Sequence, residues 1–251
     1  MDEVYLEHAG ARLYARVRGE GGAIVLLHGG LANHEACWRF AAPLAERYRV
    51  ITPDLRASGK SWWSGELTWD LLADDVAAWL RWLGVDRALV GGISFGAGCA
   101  VRVALRHPAL VSALALLHPA YAGEERGLGP AQRAAMDAMH AAGARCVAEG
   151  MSAMFPLLEA LPEAMRDRAR AVMAGYDPAS VATSTRFMAS GAQPFAEREL
   201  AGMMAPALVV PGIDAQHPPE VVDVYARGIG ARCVVEATDD FADAIDRLAR
   251  R

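Results

Sequence analysis

The sequence has little with which to build a disulfide or zinc framework. Four cysteines, Cys37, Cys99, Cys146 and Cys233, are scattered along 251 residues without metal-ligand spacing, so each reads as a small apolar core residue in a reducing compartment. A basic excess is also missing. The net charge of −5 provides no surface to grip phosphate backbones, and no nucleic-acid partner is expected. Met1-Asp2-Glu3 lacks the basic and apolar regions of a secretory signal, so the expected location is the cytoplasm. The most apolar stretch, 88–105, is interrupted by glycines and by Arg102, and no membrane span or membrane partner is expected. No internal repeat or low-complexity tract is seen, and no cofactor or metal signature is found.

What is there suits one large folded unit. Apolar residues make up 53% of the chain and charged residues 22%, enough to bury a full core. Over 4–18, alternating Val4, Leu6 and His8, a turn at 8–11, and renewed alternation over 13–17 predict an antiparallel edge hairpin. The continuous apolar run 23–27 predicts a strand covered on both faces, as in parallel sheets. Similar strands are expected at 50–52, 88–91, 113–117, 207–210 and 233–235, with helical patterns between them. The fold class is therefore α/β, a mostly parallel doubly wound sheet of about eight strands.

Over 69–83, Leu72, Val76, Trp79, Leu80 and Leu83 form one helical stripe, with Asp70, Asp74, Asp75 and Arg81 off it. Between 121 and 200 the strand pattern stops, and the chain is broken at Gly150, Pro156, Pro162, Gly175 and Pro178. This region reads as a helical cap inserted after the sixth strand, dividing the chain into a core of 1–121 and 201–251 and a cap of 122–200. Seven of the ten methionines fall in the cap. They read first as cap core, and second as an adaptable apolar ligand surface. Five arginines between Arg166 and Arg198 are candidates to meet a substrate carboxylate.

Gly92-Ile93-Ser94-Phe95-Gly96 follows a strand and opens a helix. That setting suits a nucleophile held on a tight turn, with small neighbours two residues before and after so that strand and helix can pass closely. Ser94 is the candidate nucleophile, and the Phe95 N–H at the helix start faces a developing oxyanion. After the third strand, His28-Gly29-Gly30 offers Gly30 as the second oxyanion donor, with Leu31 as the alternative, and His28 reads as structural. The segment 53–61 reads as a loop brace with Asp54 and Arg56 as a buried pair.

These motifs resemble the α/β-hydrolase superfamily, in its cap-bearing esterase, lactonase and C–C hydrolase branch, over nearly the whole chain. Three segments are similar: the oxyanion loop at His28-Gly29-Gly30, the Pro-Asp-x-Arg-x-x-Gly-x-Ser segment at 53–61 with Ala57 in place of the usual glycine, and the elbow at 92–96. The resemblance implies a catalytic acid after the seventh strand, where Asp214 matches. It also implies a histidine after the eighth strand, yet that stretch reads Glu236-Ala237-Thr238-Asp239-Asp240-Phe241, and no histidine follows His217.

A serine hydroxyl needs a base. His8, His34, His107 and His140 fall in the edge hairpin, a helix start, a helix end and the cap. His217, three residues past Asp214, is the preferred base, and His118 at the end of the sixth strand is the alternative. The acid is Asp214, with Asp239 or Asp240 as alternatives, although these two read first as the N-terminal residues of a helix over 241–248. The expected activity is hydrolysis of an ester, lactone or related carbonyl compound through an acyl-enzyme at Ser94, with a small, moderately apolar substrate. The alternatives are a lyase, cyclase or cofactor-free oxygenase on the same scaffold, or a silent ligand-binding protein.

Overall fold

The alternation of the first eighteen residues becomes strands β1 (Asp2–His8) and β2 (Ala11–Arg18), paired antiparallel at the edge of the sheet. The computed structural model describes residues 2–160 and 163–250, so the expected break at Pro162 lies outside the described residues. The apolar runs become β3 (Ala23–Leu27), β4 (Arg49–Pro53), β5 (Ala88–Ile93), β6 (Val111–Leu117), β7 (Ala207–Val210) and β8 (Cys233–Val235). The eight strands lie in the order β1-β2-β4-β3-β5-β6-β7-β8. From β4 to β8 every pairing is parallel, so the expected sheet is the one observed.

Successive residues of a strand face opposite sides, and the two sides of this sheet carry separate cores. Ile24, Leu26, Val50, Leu89, Ala115 and Leu117 pack on one side with Cys37, Ala41, Ile245 and Leu248, from helices α1 (His34–Ala41) and α8 (Phe241–Ala249). Val25, Leu27, Ile51, Val90, Leu114 and Leu116 pack on the other, against α2 (Trp69–Trp82), α3 (Phe95–Arg106) and α7 (Val222–Ile229). The doubly wound layering follows from strands that are apolar on both faces.

Two expectations about charges need correction. Asp75 lies off the apolar stripe of α2 and yet is buried, because Arg56 reaches it through Nε at 2.8 Å and Nη2 at 2.7 Å, and His8 Nδ1 lies 2.8 Å away. Asp54 and Arg56 are therefore not a pair. Asp54 accepts the His34 amide at 2.7 Å and the Lys60 amide at 2.7 Å, and lies 2.8 Å from His34 Nδ1. Asp54 lies just past the end of β4 and Arg56 in the turn that follows, so nearness in sequence does not bring their side chains together and each has a different partner. Both remain structural, as a buried charge requires.

Between β6 and β7 the chain forms α4 (Pro130–Glu149), a 3-10 segment (Met151–Ala160), α5 (Glu163–Ala174) and α6 (Pro178–Ala189). Cys146, Met151, Met154, Met173, Tyr176 and Val181 form a core of their own there. Among the described residues no helix is long and apolar enough to cross a membrane. The four cysteines are free thiols, and burial pushes those of Cys37 and Cys99 far above the ordinary range.

Candidate active site

Ser94 stands between β5 and α3 with φ 55° and ψ −112°, a conformation that costs an L-residue energy and persists only where its surroundings enforce it. The enforcement is visible at two glycines. A Cβ on Gly92 would lie 2.3 Å from the Gly96 carbonyl, and one on Gly96 would lie 2.2 Å from Leu27 O. Helix and strands thus pass closer than any side chain allows. Leu31 (φ 55°) and His118 (φ 44°) share the left-handed conformation, so the connections that follow β3, β5 and β6 all carry backbone strain.

A cavity of about 290 Å³ is lined by Ser94, Gly30, Phe95, His118, Asp214 and His217 among others. His217 Nε2 lies 2.8 Å from Ser94 Oγ, and its Nδ1 lies 2.9 Å from Asp214 Oδ1 and 3.1 Å from Oδ2. A carboxylate only accepts, so Nδ1 carries the proton and donates to Asp214, which leaves the Nε2 lone pair to accept the Ser94 hydroxyl. The short loop after β7 therefore delivers both an imidazole and its orienting carboxylate.

The loop is shaped locally. Asp214 Oδ1 accepts the amides of Gln216 at 2.8 Å and His217 at 2.9 Å, and Asp214 O accepts the His217 amide at 3.1 Å. A Cβ on Gly212 would lie 1.9 Å from His217 O, so the chain can double back here only past a glycine. Partial burial would raise the Asp214 carboxyl, but the hydrogen bonds and charge of His217, with the Gln216 amide, hold it below the usual carboxylate range.

Gly30 lines the cavity and Leu31 does not; Leu31 packs between two apolar cores. The Phe95 amide, at the first position of α3, has no carbonyl one turn back to donate to. His28 is buried and held by Gly29 O at 2.8 Å from Nδ1 and the Leu55 amide at 3.0 Å from Nε2, which marks it as structural.

His118 also lines the cavity, with its ring 5.3 Å from that of Phe241, but among the described residues it has no hydrogen bond to Ser94. Burial, then the charge of His217, hold it below the usual imidazole range against the pull of Asp214 and Asp239. Asp240 caps α8, accepting the Asp243 amide at 3.0 Å, and Asp239 is exposed. Neither approaches His217 by hydrogen bond among the described residues. His8, His34 and His107 are engaged elsewhere with Asp75, Asp54 and Asp74.

The methionines divide. Met136, Met139 and Met188 line the cavity, Met151, Met154 and Met173 pack in the helical core, and Met165 is exposed. None of the five arginines 166–198 lines the cavity, so the expected carboxylate contact is not supplied there. A larger cavity of about 450 Å³, between β1, the loop 54–62 and the α5–α6 junction, has no activated nucleophile among the described residues, and its His34 and Asp54 are committed to bracing the backbone.

Sequence reasoning missed Gln132. Its side chain is buried and joins Ala120 O at 2.6 Å to Gln216 O at 2.9 Å. The local signal, Gly129-Pro130-x-Gln132, marks a helix start but says nothing of a partner 84 residues away.

Residues 22–140 match the family described as the alpha/beta hydrolase fold. Lipase LipV of Mycobacterium tuberculosis is 34% identical over 119 residues, which are 47% of this chain and 44% of the lipase. The chain spans less than half the length of the curated relatives it matches. Among solved structures, Est816, an N-acyl homoserine lactone degrading enzyme, is 26% identical with a TM-score of 0.72, covering 98% of this chain and 99% of that one. The enol-lactonase from Burkholderia xenovorans LB400 is 21% identical with a TM-score of 0.79, covering 99% of this chain and 100% of that one. The chain has the α/β-hydrolase fold.

Proposed function

We propose that this protein hydrolyses an ester, lactone or related carbonyl compound through an acyl-enzyme at Ser94. The observation that carries the reading is the continuous chain Asp214–His217–Ser94, with contacts of 2.9 and 2.8 Å. Ser94 Oγ attacks the carbonyl carbon while its proton passes to His217 Nε2, and Asp214 stabilises the imidazolium. The carbonyl oxygen gains the negative charge and accepts from the Gly30 and Phe95 amides. His217 then gives its proton to the departing alkoxide. Water, activated by the same imidazole, releases the acid and restores Ser94.

The cavity supports an uncharged, compact acyl group. Among the described residues no lysine or arginine lines it, while Ile93, Tyr121, Met136, Met139 and Met188 do. At interior packing density, 290 Å³ holds about ten non-hydrogen atoms. The ester and lactone chemistries of the lipase and of Est816 support a carbonyl substrate of this kind.

A series of p-nitrophenyl esters tests the reading. Acetate to hexanoate should turn over with an initial burst, activity should fall for acyl chains beyond about eight carbons, and Ser94→Ala should abolish it. Turnover of these esters undiminished in Ser94→Ala contradicts the acyl-enzyme and favours chemistry in which the serine is secondary.

A further inference from the structure

We propose that Gln132 is a positioning residue that fixes the base-bearing loop, and so sets the contact between His217 and Ser94; the catalytic part of this inference rests on the acyl-transfer reading. The loop 211–218 has well-satisfied internal bonds, all among residues 214–217: Asp214 Oδ1 to the Gln216 and His217 amides, Asp214 O to the His217 amide, and Asp214 to the imidazole. Such bonds give the loop a shape without fixing where that shape sits. Ile213 is 78% exposed and Asp214 is exposed, so packing does little to hold it.

The Val221 amide donates to Pro218 O at the far end of the loop, and among the described residues only two hydrogen bonds reach residues 212–217 from outside. One is the contact of His217 with Ser94, which catalysis must break and remake. The other is Gln132 Nε2 donating to Gln216 O at 2.9 Å, one residue before the base. The same NH2 donates to Ala120 O at 2.6 Å, beyond the end of β6, and Gln132 Oε1 accepts the Gly129 amide at 2.9 Å. Both hydrogens and the oxygen are therefore used, and the two carbonyls facing the nitrogen fix which way the amide points. One buried side chain ties the start of α4 and the connection after β6 to the loop after β7.

The arrangement matters because acid and base share a single turn. Any drift of the loop moves the imidazole and its carboxylate together, so the His217–Asp214 contact survives while the reach to Ser94 is lost. Misplacement of about 1 Å in such a group costs on the order of a hundredfold in rate.

Two variants test this. Gln132→Met keeps the bulk and removes both donors. Gln132→Glu keeps the acceptor for the Gly129 amide, hence the helix start, and turns a carboxylate toward two carbonyls. In both, amides of 212–217 should exchange with solvent roughly three- to tenfold faster, while α8 and β5 exchange as before. Both variants should lower kcat about ten- to a hundredfold with KM within about threefold, and Ser94 phosphonylation should slow in parallel. Unchanged exchange in the loop overturns the tether. Faster exchange with unchanged kcat and phosphonylation overturns the positioning role. Absence of Ser94 phosphonylation in the unaltered protein removes the acyl-transfer reading instead, and the exchange result still decides the tether.

Discussion

Replacing Gly96 by alanine asks whether the elbow is held by close passage of backbones. The new methyl would lie 2.2 Å from Leu27 O, 2.6 Å from Leu27 C and 2.6 Å from His28 O, so a contact of about 3.2 Å or more requires a movement near 1 Å. The opposing atoms cannot rotate away. Leu27 is fixed in β3, in register with Gly92 of β5, and His28 is locked by Gly29 and Leu55. Overpacking costs about 1–3 kcal/mol where side chains can yield, and with backbone on the other side Gly96→Ala should cost about 3 kcal/mol or more. That is a large part of the total stability of about 5–15 kcal/mol that domains have. Gly98→Ala is the control, since its methyl would meet side chains only, Tyr121 Cδ2 at 3.0 Å and Pro194 Cγ at 3.2 Å. A gain of about 1 kcal/mol in helix preference should leave Gly98→Ala within about 1 kcal/mol of the parent. Denaturant unfolding of the three proteins measures both differences. Equal midpoints for Gly96→Ala and the parent refute the reasoning.

Further outcomes follow from the site and from the braces around it. His118→Asn, which suits the left-handed backbone at this position, should change kcat/KM less than about tenfold, whereas His217→Ala should lower it about a thousandfold or more; steady-state kinetics of the pair identifies the base. Asp214→Asn should cost about ten- to a hundredfold, less than for a buried acid because Asp214 is exposed and screened, while Asp239→Asn should change the same assay less than about threefold. Asp54→Ala leaves the His34 amide and ring without an acceptor inside the core, which should cost about 2–3 kcal/mol in denaturant unfolding. Burial would raise Asp54, yet the hydrogen bond and charge of His34, with His28 and the Lys60 amide, hold it below the ordinary carboxylate value. It therefore contributes stability that is present above about pH 4, its unfolded value, and is lost as pH falls through the lower folded value. Asp54→Asn should flatten that acid-side loss in Tm measured against pH.

The parallel strands were legible because a sheet buried on both faces needs uninterrupted apolar residues. Runs such as 23–27 and 207–210 cannot easily be anything else, and β3 and β7 have these bounds. The elbow was legible for a similar reason, since its glycines answer to neighbours close in sequence. Charges were harder. Asp75 looked like solvent-facing helix surface, and only the distant Arg56 makes its burial tolerable. Asp54 and Arg56 looked like a pair because sequence shows adjacency and hides direction. His217 could be nominated from its place after the seventh strand, but its reach to Ser94 depends on a doubling-back permitted by Gly212. Gln132 carried no functional signal at all, because its role lies wholly in two carbonyls remote from its own helix.

The most direct test of the acyl-transfer account is mass spectrometry of the protein after exposure to a fluorophosphonate. The account predicts a single adduct on the peptide that contains Ser94, formed at least about a hundredfold more slowly in His217→Ala. Modification elsewhere with Ser94 untouched, or modification of Ser94 at full rate in His217→Ala, would contradict it.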